Sequence, residues 1–171
     1  MPASFEDQLA IVEELLHEVE RMARAEKRAS SRRSLAAYER ELRLAGLAQR
    51  VAQAYTMIEG VLAYIARRID RAPVTGEEWH KQLIWRCSQS FDDRRRPAVI
   101  SAELGEELLE LCEFRHVVRN IYPTRLDESK VRENLERLIR AAPAFGAACS
   151  AYAARHSPAR EARRRKGTKQ G

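Results

Sequence analysis

Between Phe114 and Asp127 the chain reads FRHVVRNIYPTRLD, placing Arg115, His116, Arg119, Asn120 and Tyr122 within eight residues. Guanidinium groups stabilise negative charge, and an imidazole exchanges protons near neutrality. An amide orients by hydrogen bonding and a phenol offers a hydroxyl. These are the parts of a reaction centre. A solvated helix end would carry similar residues, because the helix dipole favours cations in the last turn.

Helical register separates the two readings. At 100° per residue from Arg115, the apolar stripe of Leu104, Leu108, Leu111 and Cys112 falls between about 320° and 60°. Arg119 at about 40° and Tyr122 at about 340° lie in that same sector. Cations therefore replace leucine on the face that is buried one turn earlier. His116 and Asn120 widen the polar sector to about 140°, while Phe114, Val117, Val118 and Ile121 cover about 200–300°. This pattern predicts packing on a new side, with the polar sector turned to a cleft.

The positioning elements are helical. Ala, Leu, Glu and Arg dominate the 171 residues, with only seven glycines and six prolines, a mix that favours helix and leaves little material for strands. Phe5, Leu9, Val12, Leu15, Leu16 and Val19 mark a first helix capped by Ser4 and Asp7 and ending near Arg24, before a polar, turn-like AEKRASSRRS. A long second helix carries Leu35, Tyr38, Leu42, Leu47, Val51, Tyr55, Ile58, Leu62 and Ile65, and stops before Pro73. A third opens at Thr75–Glu78. A fourth, capped by Ser101, runs into the polar motif. A fifth, capped by Asp127, is expected to break or bend at Pro143. The predicted fold is an all-α antiparallel bundle of about five helices, occupying residues 1–150.

Charge points elsewhere than the folded body. Residues 155–171 hold seven basic residues against Glu161 alone, which accounts for the whole net charge of +6. Residues 1–154 balance at 24 basic and 24 acidic. Residues 151–171 are thus expected to form a disordered basic tail that attracts polyanions weakly and in a salt-sensitive way. Cys87, Cys112 and Cys149 lack zinc-site spacing and are odd in number, which predicts free, buried or semi-buried thiols in a reducing cytoplasm. No metal and no cofactor are expected. No apolar run reaches the roughly 20 residues of a membrane span, and MPASFEDQLA has no secretory character. Trp79 and Trp85, six residues apart, point to opposed sectors, one core and one partial contact rather than a stacking pair.

FRHVVRNIY resembles the Arg-(x4–6)-His motif of HEPN-domain ribonucleases, in the variety where a tyrosine follows two residues after the histidine. The best resemblance is to the HepT-like toxins, which pair with MNT-type nucleotidyltransferase antitoxins. It extends to EEWHKQL (77–83), RPAVIS (96–101) and Leu126, Asp127 and Val131, in the same order over roughly residues 50–140.

The resemblance implies a homodimer whose two motifs meet in one cleft, RNA as substrate, and Tyr122 as the site of adenylylation by the partner. It makes Arg115 the motif arginine and His116 the polar residue after it. Asn120 stands where the catalytic histidine would be. Metal-independent cleavage needs a base for the 2′-hydroxyl, an acid for the leaving oxygen and cations for the phosphorane. Arg115 and Arg119 can supply the last, but Asn120 cannot titrate. His116, the motif's one imidazole, is then the first candidate for proton transfer, with His80 an auxiliary. The implied function is a cytoplasmic, metal-independent endoribonuclease toxin. The alternative is a catalytically degenerate HEPN module that binds, or is modified by, a nucleotidyltransferase.

Overall fold

The computed structural model describes residues 4–30, 36–71, 73–90, 97–120 and 126–156. Among these residues five helices follow one another: α1 (Phe5–Ser30), α2 (Ala37–Tyr64), α3 (Trp79–Ser88), α4 (Ala102–Asn120) and α5 (Glu128–His156). They form an all-α bundle, with α2 packed against α1, α3, α4 and α5. No described residue lies in a strand.

Side-chain caps set three of the helix starts. The Asp7 amide donates to Ser4 Oγ at 3.1 Å while Asp7 Oδ2 accepts from the Ser4 amide at 2.5 Å, a reciprocal cap that satisfies otherwise orphan donors. The Leu104 amide donates to Ser101 Oγ at 3.2 Å and the Ser129 amide to Asp127 Oδ1 at 2.8 Å. The threonine cap expected for α3 is not formed. Gly76, at φ 109°, makes a turn instead, and the Trp79 amide donates to its carbonyl at 3.3 Å.

Two helices run further than the sequence pattern suggests. Beyond Arg24, α1 continues to Ser30. Glu26 is held there by Arg43 of α2 and Arg132 of α5, so the polar stretch is fixed by ion pairs between helices rather than by apolar burial. Residues 31–34 of the expected turn lie outside the described residues. Likewise α5 passes through Pro143 without ending and continues to His156. A proline there forfeits one backbone hydrogen bond, but the flanking Ala142, Phe145, Cys149 and Tyr152 are buried and hold the helix against the bundle. Gly146 permits the approach of α1, since a Cβ there would lie 3.1 Å from Leu16 Cδ1. Residues 157–171, with most of the basic run, lie outside the described residues, as do 91–96.

The core comprises Leu15, Tyr55, Ile58, Leu62, Ile65, Leu83, Leu108, Leu111, Leu138 and Phe145, all buried. Complete burial of each such side chain stabilises by roughly 1.5–3 kcal/mol. Tyr38 and Leu42, expected on the buried stripe, are 68% and 55% exposed. No residue from Ala36 to Leu47 is buried, so the core face of α2 begins at Ala48. At its other end α2 widens into a π-helical turn over Ile65–Ile69, and Arg71 then takes φ 54°. That left-handed conformation costs a non-glycine residue about 1–2 kcal/mol.

Cys87, Cys112 and Cys149 are buried thiols that form no disulfide among the described residues. Burial pushes the Cys149 thiol up to about 12 and raises that of Cys112, which leaves both as unreactive packing groups. Among the described residues no helix is long and apolar enough to cross a membrane.

Candidate functional site

The last turns of α4 meet α2 and α3 around one carboxylate. Glu59 of α2 is 6% exposed. Its Oε1 accepts from the Tyr55 hydroxyl at 3.3 Å and pairs with His80 Nδ1 of α3. Its Oε2 lies 3.6 Å from Arg115 Nη2 of α4. Three helices therefore converge on one buried acid. With Glu59 as acceptor, His80 carries a proton on Nδ1 and turns Nε2 away from the carboxylate.

Arg115 is buried at 7% exposure, as its place on the leucine stripe predicts. Its Nη1 is buried too and forms no hydrogen bond with any described residue. A buried guanidinium with one carboxylate at 3.6 Å and an unused nitrogen is costly to keep. A solvated helix end would have no such group.

His116 sits at the rim and is exposed. Its ring meets that of His80 edge to face at 5.2 Å between centroids. Partial desolvation, followed by the neighbouring His80 and Arg115, lowers its pKa from the ordinary histidine value. The neutral imidazole, able to accept a proton, is therefore the form favoured near neutral pH. The His80 ring also touches that of Trp79, with centroids 3.8 Å apart. Trp79, His80 and His116 thus make a row of rings beside the Glu59–Arg115 pair.

The remaining motif residues do not join that row. Arg119 and Asn120 are exposed, and the Asn120 amide donates to the His116 carbonyl at 2.8 Å, turned back onto its own helix. Tyr122 lies outside the described residues. Phe114 is buried, but Val117 is 45% exposed and Val118 half-buried, so the described residues cover the apolar flank only in part. Trp85 is 60% exposed, on a different side of α3 from Trp79, which packs against the core. Among the described residues no group of three or more His, Cys, Asp or Glu side chains is placed to hold a metal ion.

Glu59 is the site residue that sequence reasoning missed. The available signal was an acid four residues after Tyr55 and three before Leu62, on a stripe otherwise apolar. Tyr55, read as core alone, also serves that acid.

A family model described as HepT-like protein matches residues 46–156, a span that includes Glu59, His80 and the whole polar motif. Comparison with curated proteins and with solved structures finds no match.

Proposed function

Because the chain belongs to the HepT-like family, we propose that it is a metal-independent endoribonuclease of the HEPN type. It acts in the cytoplasm as the toxin of a toxin–antitoxin pair. The observation that carries this reading is the buried Arg115 guanidinium, whose Nη1 has no hydrogen-bond partner among the described residues, followed directly by the exposed His116 with its lowered pKa. Such a cation suits a phosphate better than a fold.

In the proposed reaction neutral His116 takes the proton from a ribose 2′-hydroxyl as that oxygen attacks phosphorus. Arg115 and Arg119 stabilise the charge on the phosphorane. The bond from phosphorus to the 5′-oxygen breaks, and His80, oriented by Glu59, returns a proton to the leaving oxygen. The products are a 2′,3′-cyclic phosphate and a 5′-hydroxyl. Asn120 orients the substrate. Two copies of the chain bring their motifs to one cleft, covering Val117. An MNT-type nucleotidyltransferase antitoxin silences the enzyme by adenylylating Tyr122.

One observation favours a second reading. Asn120 occupies the place of the motif histidine, cannot titrate, and has its amide engaged with the His116 carbonyl. A module that binds RNA or nucleotide without cutting would keep the same arginines. The deciding experiment is cleavage of a structured RNA in EDTA by the wild type and by Arg115→Ala, with helicity compared by circular dichroism. Cutting by the wild type alone supports the ribonuclease. Equal cutting by both removes Arg115 from the site, and cutting by neither favours the binding module.

A further inference from the structure

A pocket of about 310 Å3 opens between the π-helical turn and the start of α3. Arg67, Pro73, Val74, Thr75, Trp79 and Leu83 are among its walls. This volume lies at the low end of the roughly 300–1,000 Å3 usual for small-molecule sites, enough for one planar heterocycle. The Trp79 indole that lines it is the ring in contact with His80, so the pocket adjoins the row of rings described above.

Its chemistry is specific in kind. One wall is a tryptophan, the side chain on which unpaired bases stack most readily. Another is Arg67, which is exposed and makes no ion pair among the described residues. A free guanidinium beside an aromatic ring suits either a base face or an adjoining phosphate. Between them runs an irregular segment, residues 73–75, in which neither the main chain nor the Thr75 hydroxyl is hydrogen-bonded to any described residue. Those groups are available to a base edge. The local backbone is also unusual, since Ala66 and Arg67 lie in the π turn and Arg71 is left-handed. Interruptions of this kind recur at functional sites.

We propose that this pocket holds one unpaired RNA base against Trp79, with Arg67 on the neighbouring phosphate. It would thereby select single-stranded RNA and set the cut relative to the held base. The proposal deepens the ribonuclease reading and rests on it for the identity of the ligand, while its test is separable from cleavage.

The probe is a 2′-O-methylated hexanucleotide, which cannot be cut because its nucleophile is blocked. It is titrated into the full chain carrying Trp85→Phe, so that Trp79 is the one emitting tryptophan. Saturable quenching by the single strand is expected, with none from the same sequence as a duplex. In a parallel titration followed by a dye on the oligonucleotide, Trp79→Ala should weaken binding by about ten- to a hundredfold, the usual worth of one stacked base. Trp79→Phe should restore most of it, and Arg67→Ala should weaken binding severalfold, chiefly at low salt. Binding that leaves Trp79 emission unchanged would overturn the pocket. So would quenching by duplex, quenching by ATP but not by the single strand, or no binding of either ligand. The cleavage assay in EDTA reads the other reading separately. Cutting without quenching removes the pocket alone, whereas quenching without cutting removes the ribonuclease and keeps the pocket as a binding site for RNA.

Discussion

The Arg137 guanidinium of α5 lies among three carboxylates. Its Nε is 2.9 Å from Glu107 Oε2, too bent for a hydrogen bond, and its Nη2 is 3.6 Å from Glu133 and 3.9 Å from Glu110. Its Nη1 reaches Asn134 Oδ1 at 3.5 Å. Arg115 of α4 is buried more deeply, with a side chain 9% exposed against 14% for Arg137, yet it has one carboxylate at 3.6 Å and an unpartnered Nη1. The first arginine is surrounded by acids and ties α5 to α4. Among the described residues the second has one acid, which it shares with a histidine and a tyrosine. Folding explains Arg137, because its charge is compensated where it sits. It does not explain Arg115, which has a single described acid to share where Arg137 has three.

The comparison breaks most directly on paired substitutions to methionine, which keep much of the volume and remove the charge. Arg115→Met should lower RNA cleavage by about 10²–10³-fold, the loss expected when one donor to a developing anion is removed. Stability should change by no more than about 1 kcal/mol, since an under-paired buried cation gives way to an apolar side chain while Glu59 keeps His80 and Tyr55. Arg137→Met should do the reverse. Cleavage should stay within a few-fold of wild type, and urea denaturation should show a loss of about 1–2 kcal/mol as partly exposed carboxylates lose their counter-ion. If both variants lose stability and neither loses cleavage, the two arginines are alike and the distinction fails.

A smaller effect sharpens it. His116 lies beside Arg115, and its pKa is lowered first by desolvation and then by the positive neighbours His80 and Arg115. Removing a positive neighbour favours the protonated ring, so Arg115→Met should move the His116 titration upward, toward the ordinary value of about 6.5. Arg137→Met should leave it in place. Proton NMR of the histidine C–H signals reads both. In the wild type the cleavage rate should rise with pH through a midpoint below about 6.5 and be level at neutrality, as required of a base that acts when neutral. A rate that falls over the same interval would make His116 the acid and reverse the assigned roles.

How much of this was legible in the sequence follows from what periodicity can carry. The 3.6-residue pattern gave the helices and put Arg115 on the buried stripe of the fourth, because burial of one face is written locally. It could not show that His80 and His116 meet, since the two are 36 positions apart and their contact depends on the antiparallel register of α3 on α4. Glu59 escaped for the same reason, since its partners His80 and Arg115 lie on other helices. The extent of α1 was underestimated because Glu26 is held by Arg43 and Arg132, which are distant in sequence. Tyr38 and Leu42 failed in the opposite sense, satisfying the local pattern at a level of α2 where none of its residues is buried.

The Tyr55 hydroxyl offers the mildest test of the comparison. It donates to Glu59 at 3.3 Å from a side chain 1% exposed, and burial raises its pKa, so it remains a neutral donor at any working pH. Tyr55→Phe removes that donor and keeps the ring in the core. A long hydrogen bond to a charged acceptor is worth about 1 kcal/mol, and the stability lost should be of that order. Glu59 still holds His80 and faces Arg115, so cleavage should fall by no more than about fivefold and the His116 titration should barely move. A loss of cleavage as large as that of Arg115→Met would mean that Glu59 needs all three partners to keep its place. The site would then be a single network rather than an under-paired arginine beside an oriented histidine.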